Sequence, residues 1–164
     1  MKKIAAILIL AALAVAGWLW LGQEPAAPQA RITLLDGKTS SLSAWRGKVV
    51  LVNFWATTCT TCVSEMPRLT AIYRKYAPQG YDMVAVAMDY DPPGYVQTFV
   101  QEKRLPFTVA RDDKGEVAQA FGGVRLTPTS FLIDRQGRIV QQYLGAPDFD
   151  KFEQTVARLL RASA

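Results

Sequence analysis

In Val49-Val50-Leu51-Val52-Asn53-Phe54-Trp55-Ala56-Thr57-Thr58-Cys59-Thr60-Thr61-Cys62, an apolar run of strand length leads straight into a pair of cysteines. A continuous apolar run is the mark of a strand buried on both faces of a sheet. From Cys59 to Tyr76 the period changes. Met66, Leu69, Ile72, Tyr73 and Tyr76 recur at spacings of three and four, which predicts a helix. The cysteines therefore fall at a strand-to-helix junction. They are the only two in the chain, which has no histidine.

Three uses of such a pair compete. A structural staple normally joins segments distant in sequence, whereas a ring this small is worth only about 2 kcal/mol in the chain-entropy model. About 130 residues of globular sequence can bury an ordinary core without one. A structural zinc site wants four ligands, commonly cysteine and histidine, and the chain offers two cysteines. Thiol–disulfide chemistry needs only what is present. A free thiol with a pKa of about 8.5 is only slightly ionised at neutral pH, and a helix N-terminus lowers that value. Cys59 at the head of the helix meets unpaired N–H groups and the positive dipole end. Cys62, one turn on, shares its face. The reading is Cys59 as nucleophile and Cys62 as resolving thiol.

Outward from this junction, short apolar runs alternate with amphipathic stretches, which predicts a single α/β domain over 31–164. Ile32–Leu35 and Thr39–Leu42 read as a hairpin with its turn at Asp36-Gly37. Met83–Met88 is a second buried strand. Pro92-Pro93 opens a helix whose buried stripe is Tyr95, Val96, Phe99 and Val100. Phe107–Ala110 reads as a strand and Glu116–Phe121 as a short helix stopped by Gly122-Gly123. Thr129–Asp134 and Arg138–Leu144 form a strand pair. The last helix turns Phe149, Phe152, Val156, Leu159 and Leu160 inward.

Ahead of the domain, Met1-Lys2-Lys3 precedes an apolar stretch from Ile4 to Leu21. Residues 1–21 read as an uncleaved signal anchor or a cleaved signal peptide. Ala14-Val15-Ala16 resembles a cleavage site, while Trp18 and Trp20 suit the headgroup layer of an anchor. Either form holds Lys2 and Lys3 inside and carries the domain across the membrane, to an oxidising compartment. Gly22–Ala30, with Pro25 and Pro28, reads as a Pro/Ala linker. Setting aside Lys2 and Lys3, 17 basic residues face 14 acidic ones. That surplus is scattered and accompanies no nucleic-acid motif, so no nucleic-acid partner is expected.

Asn53-Phe54-Trp55-Ala56 before the Cys-x-x-Cys, Glu65-Met66-Pro67 after it, and Thr127-Pro128-Thr129-Ser130-Phe131-Leu132-Ile133-Asp134 further on stand in a fixed order. In this, residues 31–164 resemble the thioredoxin superfamily and, within it, the membrane-anchored TlpA/ResA-like thiol–disulfide oxidoreductases. The resemblance implies a three-layer fold, a central mixed sheet flanked by helices, with an N-terminal β-hairpin and one membrane segment before it. It implies that Pro128 is cis and faces the cysteines, leaving the Thr127 backbone to pair with a substrate strand. Read from the sequence alone, Pro128 is also an ordinary turn proline. Pro67 is expected inside the helix. Glu65, three residues beyond Cys62, is implied to handle the proton of the second thiol. From spacing alone, a surface charge is the other reading. Asn53 stands where thioredoxins often carry a buried aspartate, and Trp55 lies beside the site.

Two departures stand out. Thr58 replaces the tryptophan usual before the first cysteine, and Thr60-Thr61 lacks the proline often found between the two. The implied activity is reduction of disulfides in exported proteins, with apocytochrome c, copper-site assembly proteins or oxidative-repair enzymes as clients. A membrane thiol carrier of the DsbD/CcdA type would supply electrons. No cofactor beyond the Cys59/Cys62 dithiol and no metal is expected. The alternatives are a Cu(I) module using Cys59, Cys62 and Met66, and a thiol peroxidase using Thr57.

Overall fold

Thirteen short elements follow one another among the described residues because the apolar period alternates between that of a buried strand and that of an amphipathic helix. The computed structural model describes residues 24–162. The expected membrane segment, 1–21, lies outside them, and no helix of the described residues is long and apolar enough to cross a membrane. The strands are β1 (Arg31–Leu34), β2 (Thr39–Ser41), β3 (Val49–Trp55), β4 (Tyr81–Ala87), β5 (Thr108–Arg111), β6 (Thr129–Ile133) and β7 (Ile139–Leu144). The α-helices are α1 (Thr60–Tyr76), α2 (Pro93–Lys103), α3 (Glu116–Ala120) and α4 (Phe149–Arg161), with 3-10 turns at Leu42–Trp45 and Ala77–Gln79.

The strands form one mixed sheet in the order β2-β1-β5-β4-β3-β6-β7. β3, β4 and β5 run parallel to one another, and β1, β2, β6 and β7 add antiparallel margins. Helices cover both faces, giving the three layers, mixed sheet and leading hairpin that the resemblance implies. β3 and β4 occupy the middle, and every one of their residues is buried. This explains why their sequences are apolar apart from Asn53 and Asp82. The turn of the β1–β2 hairpin needs Gly37, whose φ of 80° few other residues adopt.

Alternation along β3 divides the core. Val49, Leu51 and Trp55 pack with Met66, Leu69 and Ile72 of α1, Val96 of α2, and Phe152 and Val156 of α4. Val50, Val52 and Phe54 face the other way, against Val117 and Ala118 of α3 and the rings of Phe121 and Phe131. There Phe54 meets Phe121 edge-on at 5.4 Å, and Phe121 meets Phe131 at 4.8 Å. Each fully buried large side chain contributes roughly 1.5–3 kcal/mol over its exposed state. Salt links from Arg68 and Lys75 to Asp150 and Glu153 tie α1 to α4 outside the core.

Two local readings change. Tyr95, expected in the buried stripe of α2, is 64% exposed; the helix turns Val96 inward and half-buries Phe99 and Val100. The stripe is narrower than the sequence implies, with Val96 alone fully buried. The described part of the 22–30 stretch is extended and docked on the domain. Ala27 N–H donates to Gly137 O at 2.8 Å, Ile139 N–H donates to Pro25 O at 2.8 Å, and Ala30 is buried.

Candidate active site

β3 ends at Trp55, and the chain turns through Ala56-Thr57-Thr58 into α1 with Cys59 as its N-cap. An N-cap side chain accepts from the first free N–H groups of its helix. Here the acceptor is sulfur, and Cys62 N–H donates to Cys59 Sγ at 3.2 Å. The first turn contains no acidic residue to offset the helix dipole. Cys59 and Cys62 are joined as a disulfide with Cα atoms 5.2 Å apart. Cys59 is half-buried and Cys62 fully buried, so only the first sulfur is open to a partner.

The second wall of the site is the loop before β6. The Thr127–Pro128 peptide bond is cis. Thr127 O lies 3.5 Å from Cys59 Sγ, so the loop abuts the exposed sulfur, as the resemblance implies. Among the described residues, no backbone hydrogen bond takes up the N–H or C=O of Thr127. The rim is apolar in part: Leu126 is 70% exposed and Tyr90 55% exposed. Tyr90 OH and Thr127 Oγ1 are 3.2 Å apart.

Beneath the dithiol lies a small polar network in an otherwise apolar layer. Asn53 Nδ2 donates to Glu65 Oε1 at 3.1 Å and to Ser130 Oγ at 2.9 Å. All three side chains are buried. Glu65 is therefore not a surface charge. Loss of water pushes its carboxyl up to about 7, and the bond from Asn53 opposes this only in part. Its second oxygen, Oε2, is buried without a hydrogen-bond partner. Cys62 and Glu65 are both buried and stand on one face of α1, three residues apart.

The structure thus brings together Cys59, Cys62, Glu65, Asn53, Thr127 and Pro128. Trp55 is wholly buried one layer below, its ring 5.2 Å from that of Phe99. Pro67 stands inside α1 and is exposed. Met66, the third ligand of the copper reading, is packed in the core. The hydroxyl of Thr57, on which the peroxidase reading turned, donates to Asp91.

Sequence reasoning missed Ser130, Tyr90 and Asp91. Ser130 had a visible signal. It interrupts a buried strand, as Asn53 does, and the two are paired across β3 and β6. Asp91 had none, because its position follows from the parallel pairing of β3 and β4, which sets the loops at their carboxyl ends side by side.

The match to known proteins agrees with this geometry. The Redoxin family model matches residues 22–158. Thiol-disulfide oxidoreductase ResA of Bacillus thuringiensis subsp. konkukian is 36% identical over 139 residues, 85% of this chain and 78% of that protein. ResA of Bacillus anthracis is 38% identical over 133 residues, 81% of this chain and 75% of its own length. A thioredoxin candidate from Neisseria meningitidis, solved in solution, superposes with a TM-score of 0.78. It is 40% identical and covers 86% of this chain and 93% of its own. By sequence, fold and the pair of thiols at the head of α1, the chain belongs to the Redoxin family of the thioredoxin superfamily, as a ResA-like thiol–disulfide oxidoreductase.

Proposed function

We propose that this oxidoreductase works as a reductase on the outer face of a bacterial cytoplasmic membrane, held there by residues 1–21. In this reading it reduces disulfides of exported client proteins in cytochrome c maturation, copper-site assembly or oxidative repair. The observation that carries the redox part is the contact of Cys59 Sγ with Thr127 O at the head of α1. The membrane part rests on the two lysines and apolar run of the N-terminus. The reducing direction is supported by the uncharged Thr60-Thr61 between the cysteines, which adds no side-chain charge to stabilise the reduced thiolate.

Catalysis begins from the reduced enzyme. A client segment pairs with the free Thr127 backbone, which aligns its disulfide with Cys59. The Cys59 thiolate attacks one client sulfur, the client S–S bond breaks, and the departing sulfur leaves as a thiolate that takes a proton. Cys62 then gives its proton to the Glu65 carboxylate, and its sulfur attacks Cys59 Sγ. That releases the second client thiol and leaves the Cys59–Cys62 disulfide. Two electrons have passed to the client. A membrane thiol carrier of the DsbD/CcdA type returns them, and the dithiol is the sole redox group.

A direct test measures reduction of an oxidised protein disulfide by the full chain in membranes, with a thiol donor regenerating the enzyme. Net appearance of client thiols supports the reading. Net oxidation of a reduced client under the same poise overturns it.

A further inference from the structure

We infer that Asp91 is a positioning residue for Cys59: its carboxylate fixes the turn that presents the nucleophile and holds the dithiol toward the reducing end of its range. The side chain is buried, on the loop between β4 and α2. One oxygen accepts from Thr57 N–H at 2.6 Å and the other from Thr57 Oγ1 at 2.5 Å. Both bonds land on the residue two before Cys59, in the turn that also carries the Cys59 N–H to Ala56 O bond. A buried carboxylate gripping one residue through both oxygens immobilises that residue.

Its charge has a second effect. The turn delivers Cys59 to the dipole end of α1, which favours the thiolate. A carboxylate hydrogen-bonded to the same turn disfavours it. Three further titratable side chains belong to the site, Cys62 and Glu65 on α1 and Tyr90 on the β4–α2 loop. Glu65 is directed to Asn53, and Tyr90 to Thr127. Asp89, two residues before Asp91, faces the Gly115 turn. Among the described residues, Asp91 is the charged side chain hydrogen-bonded to the 56–59 turn. A less stable thiolate makes the dithiol the stronger electron donor. This inference rests on the dithiol chemistry and not on the clients or the membrane.

Two substitutions separate the charge from the tether. Asp91→Asn keeps an acceptor for the Thr57 N–H and can donate to its hydroxyl oxygen, but removes the charge. Thr57→Val keeps the charge and removes one of the donors that neutralise it. The measurements are the equilibrium of the Cys59–Cys62 pair with glutathione and the pH profile of Cys59 alkylation. Asp91→Asn is expected to shift the equilibrium toward the reduced dithiol by roughly three- to tenfold, about 15–30 mV, and to speed alkylation at acidic pH. Thr57→Val is expected to move both readouts the opposite way. Equilibria unchanged in both variants, or moved in the same direction, overturn the inference. A wild-type enzyme that does not equilibrate with glutathione would instead overturn the dithiol assignment itself.

Discussion

Asn53 and Glu65 meet where the central strand passes beneath the first turns of α1, amide Nδ2 to carboxylate Oε1 at 3.1 Å. The strand residue is fully buried and the helix residue 3% exposed. An asparagine in this place donates a hydrogen bond without itself titrating. The carboxyl is thus the titratable member of the pair, with burial lifting it to about 7.

Stability should record that lift. Unfolding returns Glu65 to its ordinary value of 4.5. Between that pH and about 7 the folded chain binds the extra proton, so stability falls as pH rises through this window. The difference is roughly 3 kcal/mol when fully expressed. Urea unfolding of the oxidised protein at pH 4 and pH 8 should show this loss in the wild type. In Glu65→Gln it should be largely absent.

In the proposed mechanism the same group sets the pH dependence of turnover. As base for Cys62, Glu65 is competent above about 7 and idle below it. Resolution of a mixed disulfide should accelerate through that pH in the wild type. Glu65→Gln should be slower by about tenfold or more at pH 8 and show no inflection there. Stopped-flow release of a client thiol gives both profiles.

In the proposed mechanism a client strand pairs along Thr127 and so crosses Leu126, which is 70% exposed. Leu126→Asp should raise KM for a protein disulfide about tenfold, since it sets a charge where an apolar contact forms. The rate of Cys59 with a small disulfide should stay within about twofold of the wild type. Parallel assays with the two substrates check this.

Away from the site, Asp112 accepts from Val117 N–H at 2.9 Å and Ala118 N–H at 2.7 Å, capping α3. Asp112→Ala should cost about 1–2 kcal/mol in urea unfolding, with Asp112→Asn recovering part of it. The glutathione equilibrium should not change.

Much of this architecture was legible along the chain because its periods are clean. The apolar runs Val49–Trp55 and Met83–Met88 leave no solvent-facing side, so both read as buried strands, and the structure places β3 and β4 at the middle of the sheet. The stripe from Met66 to Tyr76 identifies α1, and the cysteine just ahead of it stands at the helix N-cap as its spacing implies. Glu65 was harder. Its spacing puts it on the right face, yet whether that face is wet depends on how closely α1 lies over Asn53. Tyr95 shows the reverse failure, an aromatic at helical spacing that the sheet leaves uncovered. Asp91 was beyond reach, since its partner Thr57 is a neighbour only through parallel strand pairing. Polar contacts between loops depend on register and crossover, which local patterns do not encode.

The central claim is that Cys59 captures the client and Cys62 releases it. The direct measurement is peptide mapping of the mixed disulfide formed when Cys62→Ala and Cys59→Ala, each as the full chain, meet the same oxidised peptide. The account predicts a stable adduct on Cys59 in the first variant and little on the buried Cys62 in the second. Comparable adducts on both sulfurs, or an adduct on Cys62 alone, would contradict it.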